Sequence, residues 1–258
     1  MFKSAGSLYG LFLGVAAIFG AYFIEGGSFG ALFLLPAMLI VFGGTFSATI
    51  IGVGYNKFKR IFSLMKMAYF PPKYDEKKLI SGFVILSQKS RQEGILAMEG
   101  QIPKLMYSFP KKMIHMIMDG TDMDSLENIA MGEIRATENR HYSNISIFNK
   151  MGGYAPTMGI IGTVMGLIMT LANAGKDPTT LIHSIASAFI ATLWGILSAN
   201  LLWLPIADRL KECHLEEKQM MELSLEGVMA IHSGEIPSIV KSRLMSLLPQ
   251  KEQGGFVK

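Results

Sequence analysis

The stretch Tyr154-Ala-Pro-Thr-Met-Gly-Ile-Ile-Gly-Thr-Val-Met-Gly-Leu167 is apolar enough for the interior of a bilayer, yet it is built from glycines, hydroxyls and one proline. A helix that only faces lipid has no need of them. At helical spacing Gly159 and Thr163 fall on one stripe and Gly162, Gly166 and Thr170 on the adjacent one, so a whole face carries almost no side-chain bulk. Something packs against that face or passes along it.

The flanking sequence supplies the frame. Half of the 258 residues are hydrophobic, 17% are charged and the mean hydropathy is +0.35, which places the chain in the polytopic membrane class. Four runs, 8–24, 29–54, 154–174 and 181–207, contain no Lys, Arg, Asp or Glu. Each approaches the roughly 20 residues that cross about 30 Å of hydrocarbon, the first being the shortest. Residues 55–153 carry 15 Lys+Arg and 10 Asp+Glu and residues 208–258 carry 7 and 8, whereas the turns 25–28 and 175–180 hold only Glu25, Lys176 and Asp177. Within 20 residues of the span ends, 12 Lys and Arg lie on the side of the amino terminus and one on the other, so the positive-inside rule predicts that both termini are cytoplasmic. The expected fold is all-α: a transmembrane hairpin at 1–54, a cytoplasmic helical domain at 55–153, a second transmembrane hairpin at 154–207 and a cytoplasmic helical tail at 208–258.

The composition also excludes functions. A net charge of +4 with no basic stripe and no interleaved aromatics gives no nucleic-acid surface. Cys213 is alone, so no disulfide framework exists, and it reads as a reduced bystander. The first run is expected to stay as a membrane helix and not to be cleaved as a signal, because only Lys3 precedes it and the second run follows within a few residues. There is no Walker loop, no nucleophile elbow and no His/Cys cluster at metal spacing; the histidines at 115, 141, 183, 214 and 232 are scattered. Neither an enzyme nor a cofactor or metal centre is expected, and His183 reads as interfacial.

Further periodicities predict how the helices meet. Gly6, Gly10 and Gly14 in the first run, and Gly44, Ala48 and Gly52 in the second, place small residues at four-residue spacing, the ordinary signature of close helix packing. Pro36 predicts a kink in the second span. Residues 56–69, with apolar side chains at 58, 61, 62, 65 and 69, form an amphipathic helix lying on the membrane or against a neighbour, stopped by Pro71-Pro72. From 75 to 150 the pattern is helical, broken at Pro103, Pro110 and Asp119-Gly120, and able to bury a modest core. Asp124-Ser-Leu-Glu127 has the form of a capping box, starting a helix that runs to about Lys150 and into the third span.

The hydroxyls of the last two spans admit two readings. Thr157, Thr163, Thr170, Ser184, Ser187, Thr192 and Ser198 can each bond a carbonyl of their own helix and mark nothing but packing. Combined with Pro156, which frees a carbonyl, and with small-residue stripes in consecutive helices, they can instead line an ion path. An ion carrier needs an acid at depth, and the four spans contain none, so a carboxylate has to come from another polypeptide laid into the small-residue face. In the insertion, Arg91 and Glu99 stand eight residues apart, hence roughly on one helical face.

Together these residues resemble the MotA/PomA family, the flagellar motor stator subunits. Residues 154–167 resemble its third-span signature. Phe42-Gly-Gly-Thr-Phe-Ser-Ala resembles its second-span segment, Ala191-Thr-Leu-Trp-Gly-Ile-Leu-Ser-Ala-Asn-Leu with Pro205 its fourth span, and Leu225-Glu-Gly-Val-Met-Ala-Ile-His-Ser-Gly-Glu-Ile-Pro237 its tail motif. The resemblance covers essentially the whole chain.

It implies a subunit of the bacterial inner membrane that forms a homo-oligomeric ring, a pentamer, around a MotB/PomB-like partner whose aspartate binds H+ or Na+. Ion flow would turn the ring, and its cytoplasmic charges would engage the rotor protein FliG. By position Arg91 and Glu99 match the family's charged pair, with Glu133 a further rotor-facing charge. Pro156 and Pro205 match its two functional prolines, and Thr192 its fourth-span threonine. With Thr157, Gly159, Thr163 and Gly166 these spans would form the ion path and the partner-helix face. Thr163 resembles the threonine of sodium-using members and would be a Na+ ligand; a packing threonine in a proton-driven stator is the alternative. Two other readings are a TolQ/ExbB-like energising subunit, which is expected to have three spans, and a stand-alone solute transporter.

Overall fold

All four charge-free runs are helical in the computed structural model, which describes residues 2–173, 175 and 178–250. The end of the third run at Ala174, the turn residues Lys176 and Asp177, and the tail beyond Gln250 lie outside the described residues. The stretches long and apolar enough to cross a membrane are Gly6–Ile24, Phe29–Val53 and windows within Met123–Ala172 and Pro178–His232. No strand occurs among the described residues. The chain divides into two compact units, Met1–Pro72 with His141–Cys213, and Lys73–Arg140 with His214–Lys258.

In the first unit the opening span is α1 (Phe2–Ile24). The second span is not one helix. It runs as α2 (Phe29–Leu32), α3 (Leu35–Met38), a π-helical turn at Leu39–Gly43 and α4 (Gly44–Val53). Pro36 therefore opens α3 and does not kink a continuous helix: the break comes before it, at Phe33 and Leu34, because the fixed φ and missing N–H of proline suit a first turn. The break leaves the Leu32 carbonyl without a helical partner, and the Trp194 indole N–H donates to it at 2.7 Å. Phe19, Phe33 and Phe42 surround the same indole, with ring centroids 6.2, 5.3 and 6.1 Å away. One tryptophan thus ties the first two spans to the fourth.

The stretch expected as one amphipathic helix is two, α5 (Tyr55–Phe58) and α6 (Ile61–Tyr69). Ile61, Leu64 and Ala68 are buried against Ile145, Phe148, Met151, Trp203, Ile206 and Leu210, whereas Phe62, expected on the apolar face, is 80% exposed. The helix packs against neighbouring helices of its own chain.

The third span is the carboxyl-terminal part of α9 (Met123–Ala172), which passes Pro156 without a break. The fourth is α10 (Pro178–Ser198), a π-helical turn at Ala199–Trp203 and the start of α11 (Leu204–His232). The wide turn falls just ahead of Pro205. There the wide turn accommodates the missing N–H and relieves the ring's clash with the carbonyl four residues back.

The second unit consists of α7 (Glu76–Glu93), a 3₁₀ segment at Ile95–Lys104, α8 (Ser108–Met118), the first turns of α9, the end of α11 and α12 (Pro237–Ser246). The segment 73–140 does not bury a core by itself. Phe83, Met98, Met113, Ile114 and Leu126 share one cluster with Leu223, Val228, Val240 and Leu244 of the tail, so insertion and tail fold together. The cap of α9 is Asp122 and not Asp124: its carboxylate accepts from the Ser125 amide at 2.9 Å.

Candidate functional site

The third and fourth spans meet at backbone contact. A Cβ on Gly159 would lie 2.9 Å from the Ala191 carbonyl oxygen, and one on Gly195 would lie 2.7 Å from the Ala155 carbonyl oxygen and 3.0 Å from the Gly159 Cα. One on Gly166 would lie 2.6 Å from the Ala188 Cβ. Only glycine allows the two helices this close. The glycine face of the third span is therefore covered by the fourth span of the same chain. The expectation that a partner helix lies directly on Gly159 and Gly166 is corrected in that respect. Gly44 of the second span likewise faces Met158, and Gly52 faces Tyr154, so that stripe too serves contacts within the chain.

Most hydroxyls of the spans do what the packing reading requires. Thr45, Thr49 and Thr170 donate to the carbonyl four residues back at 2.5, 2.7 and 2.9 Å, and Thr157 and Ser198 to the one three back at 2.7 and 3.2 Å. Thr163 differs. Its Oγ1 lies 3.1 Å from the Gly159 carbonyl oxygen, 3.1 Å from the Ala188 carbonyl oxygen of the facing helix, and in direct contact with the Thr192 Oγ1. A hydroxyl has one proton, so Thr163 donates to one carbonyl at a time while Thr192 supplies its own. Four oxygens, two hydroxyl and two carbonyl, thus converge between two helices, with donors that can turn. Oxygens of this kind replace a cation's water in selective pores.

Thr163 and Thr192 are half-buried, as is Pro156, while Thr157 is exposed. The structure brings together Gly159, Thr163, Gly166 and Thr192. Pro156 and Thr157 stand on α9 about one to two turns before Thr163, and Pro205 lies beyond the π-helical turn of the fourth span.

Arg91, Glu99 and Glu133 belong to the second unit. Arg91 and Glu99 do not share a helical face: α7 ends at Glu93, Gly94 takes φ +89°, and Glu99 sits in the 3₁₀ segment that follows. Glu99 is exposed. Arg91 is exposed too, but its Nη1 donates to the Gly234 carbonyl at 2.5 Å, and the Ser87 hydroxyl donates to the Glu235 carbonyl at 2.9 Å. Gly234 itself has φ +71°, a turn that glycine makes readily. Arg243 closes the same turn, bonding Glu235 at 2.7 Å and Glu226 at 2.8 Å. Burial works against its charge, but these two carboxylates outweigh burial and hold its pKa above the ordinary arginine value. Glu133 is paired with Lys112 at 2.5 Å. The tail motif is thus a clasped turn, and Ser87, Arg243 and Lys112 are partners that no local pattern announces. Trp194 was within reach, since an indole amid an apolar span requires an acceptor.

Four apolar spans, two of them interrupted by π-helical turns, and an oxygen-lined seam between the third and the fourth define a polytopic helical membrane protein. Residues 8–94 match the Motility protein A N-terminal family, and residues 101–223 match the MotA/TolQ/ExbB proton channel family. Motility protein A of Bacillus subtilis (strain 168) is 34% identical over 253 residues, 98% of this chain and 93% of that protein. Chemotaxis protein PomA of Vibrio alginolyticus is 30% identical over 94% of each chain. The flagellar MotAB stator complex from Bacillus subtilis contains a chain 33% identical that superposes with a TM-score of 0.90, covering 98% of this chain and 100% of that one. The fold is also that of C. jejuni MotAB, at a TM-score of 0.88 and 22% identity. The chain belongs to the Motility protein A family, and it is a multi-pass protein of the inner membrane.

Proposed function

We propose that this chain is the membrane-embedded stator subunit of a bacterial flagellar motor, assembled in several copies with a MotB-like partner and converting ion flow into torque. The observation that carries the reading is the full-length likeness to the Bacillus subtilis stator subunit, joined to the oxygen cluster at Thr163 and Thr192.

The division of labour follows from what the chain lacks. Its four charge-free runs have no carboxylate, so the partner supplies an aspartate as the ion's charged ligand, and this chain supplies neutral oxygens. Thr163 and Thr192 form that neutral half of the path, with Gly159 and Gly166 fixing the helix separation behind them and Pro156 and Thr157 lining its approach. The π-helical turn ahead of Pro205 is the element that yields when the ion binds, because a wide turn changes pitch with fewer broken bonds than a regular helix. Five copies surround the partner, both termini are cytoplasmic, and no enzymatic step is involved. Arg91, Glu99 and Glu133 present charge to the rotor protein FliG, which they orient more than they bind. The match of residues 8–94 to the motility family, together with four spans, favours a stator over a TolQ/ExbB-like subunit, which is expected to have three.

The test is motility in a strain whose only stator is this chain with its partner, with sodium replaced by potassium, for the parent and for Thr163→Ala. Sodium-dependent speed that Thr163→Ala lowers at least several-fold supports a Na+ ligand role. Speed independent of sodium in the parent assigns H+, and swimming without the chain removes the stator role altogether.

A further inference from the structure

A cavity of about 250 Å³ lies in the first unit, lined by Ser7, Gly10 and Leu11 of α1, Tyr69 at the end of α6, and Leu201 and Arg209 of the fourth span and its continuation. At roughly 30 Å³ per water it holds about eight water volumes. Its walls change character along its length. Leu11 and Leu201 stand within charge-free runs, whereas Arg209 follows the last such run, which ends at 207. Among the described residues, no carboxylate lines it. The Arg209 Nε is buried and, among the described residues, has no hydrogen-bond partner. Among the described residues Arg209 is the one charged side chain on the cavity wall, so the charge there favours an anion. Burial pushes the Tyr69 phenol up, leaving it neutral, with its hydroxyl proton, at pH 7.

We infer that this cavity is a binding site for an anionic glycerophospholipid of the surrounding bilayer, its phosphate on Arg209 and its glycerol and first methylenes along Leu11 and Leu201. Three observations select a lipid over a free anion. The cavity spans the boundary between charge-free and charged sequence, it is much larger than one phosphate group, and its apolar wall belongs to two spans. Basic pockets between transmembrane helices at their cytoplasmic ends have the chemistry that recognises such headgroups. Bound there, the lipid bridges α1 to the segment that carries Pro205, which also lines the cavity. Lipid composition would then bear on the same element that is proposed to yield during the ion cycle.

The full chain, purified in detergent with its partner subunit, is titrated with dioctanoyl phosphatidylglycerol, dioctanoyl phosphatidylcholine or inorganic phosphate, and the thermal midpoint is read. Phosphatidylglycerol at several times its Kd is expected to raise the midpoint by about 2–4 °C, with phosphatidylcholine and phosphate giving less than half of that. Arg209→Gln removes the anion's partner. Gly10→Leu fills the space, and a Cβ at Gly10 meets no heavy atom within 4 Å, so this variant keeps the test decisive if Arg209→Gln does not fold. Loss of the difference between the two lipids in the folded variants supports the site. Equal shifts from the two lipids in the parent, or a difference that survives either variant, overturns it. An equal shift from inorganic phosphate makes it a free-anion site and overturns the lipid assignment. A changed oligomeric state in Gly10→Leu, with no lipid discrimination in the parent, gives the cavity to a neighbouring copy and also overturns it.

Discussion

The seam between the third and fourth spans and the clasped turn at Gly234 solve the same problem, holding two helical segments at fixed separation, with opposite chemistries. The seam uses glycines, backbone carbonyls and two threonines and no charge. The turn uses Arg91, Ser87 and Arg243 closing on carbonyls and carboxylates. In a bilayer an unpaired charge costs several kcal/mol, so closeness has to come from absent side chains. In the second unit water screens charge, and long side chains can hold a turn while remaining exposed. A charge in the second unit therefore either holds the fold or faces a partner, and a hydroxyl of the seam that bonds beyond its own helix either joins the two helices or serves a path between them.

The largest effect is expected where the seam has no slack. Gly159→Leu places a side chain against the Ala191 carbonyl and the Gly195 backbone, and overpacking of this kind costs about 1–3 kcal/mol or more. The expected result is lost swimming and a purified complex that unfolds at lower temperature. A normal midpoint with normal speed would show that the helices separate freely, and the contrast between the regions would fail.

Next come the threonines, where stability and function should part. Thr163→Val and Thr192→Val keep the shape and remove the hydroxyls. An interhelical hydrogen bond in a membrane averages about 0.6 kcal/mol and reaches about 1.7, so the midpoint should hardly move while speed falls at least several-fold. In a double-mutant cycle on swimming speed the pair should be strongly non-additive, since removing either hydroxyl removes the contact between them. Additive losses would reduce the pair to two independent packing residues.

For the clasped turn, Arg91→Glu and Ser87→Ala separate the two duties. Both remove a hydrogen bond to the turn at Gly234 and Glu235. If Arg91 acts chiefly as a rotor-facing charge, Arg91→Glu lowers torque well beyond Ser87→Ala at equal complex abundance. Matching, mild losses in both variants would make Arg91 a structural clamp and leave Glu99, which is exposed, as the better candidate for rotor contact.

What could be read from sequence follows the same divide. Runs without charge and small residues at four-residue spacing disclose spans and close packing, because hydrocarbon restricts the solutions to few. What sits on a glycine stripe is not in the pattern: an open groove and a filled one have identical periodicity, and Gly159 and Gly166 proved to face the fourth span. The break before Pro36 was half legible, since proline announces an interruption without saying on which side the helix gives way. In the second unit Arg91 and Glu99 looked coplanar only on the assumption that the helix passes Gly94, which takes φ +89° and ends it. The joining of 73–140 to the tail through Phe83 and Val228 is a long-range contact that no local signal encodes. Thr163 and Thr192 stood out singly, but their meeting depends on the register of two helices.

The smallest effect concerns the cap of α9, and it sharpens the comparison by asking what an exposed charge does when its partner is backbone. Asp122 accepts first from the Ser125 amide and then from the Ser125 hydroxyl, and these bonds hold its carboxyl below the ordinary value of 3.8. A carboxylate whose folded pKa is depressed contributes stability that is fully present above the unfolded value. That contribution is lost as pH falls through the folded one. The midpoint difference between parent and Asp122→Ala should accordingly be small but constant at neutral and mildly acidic pH, and should shrink only below about pH 4. Asp124→Ala, at the position favoured by the capping-box pattern, should show no such acid limb, because the bond to Ser125 belongs to Asp122. A pH-dependent loss in Asp124→Ala and none in Asp122→Ala would move the helix start by two residues and return the cap to the residue that the sequence pattern names.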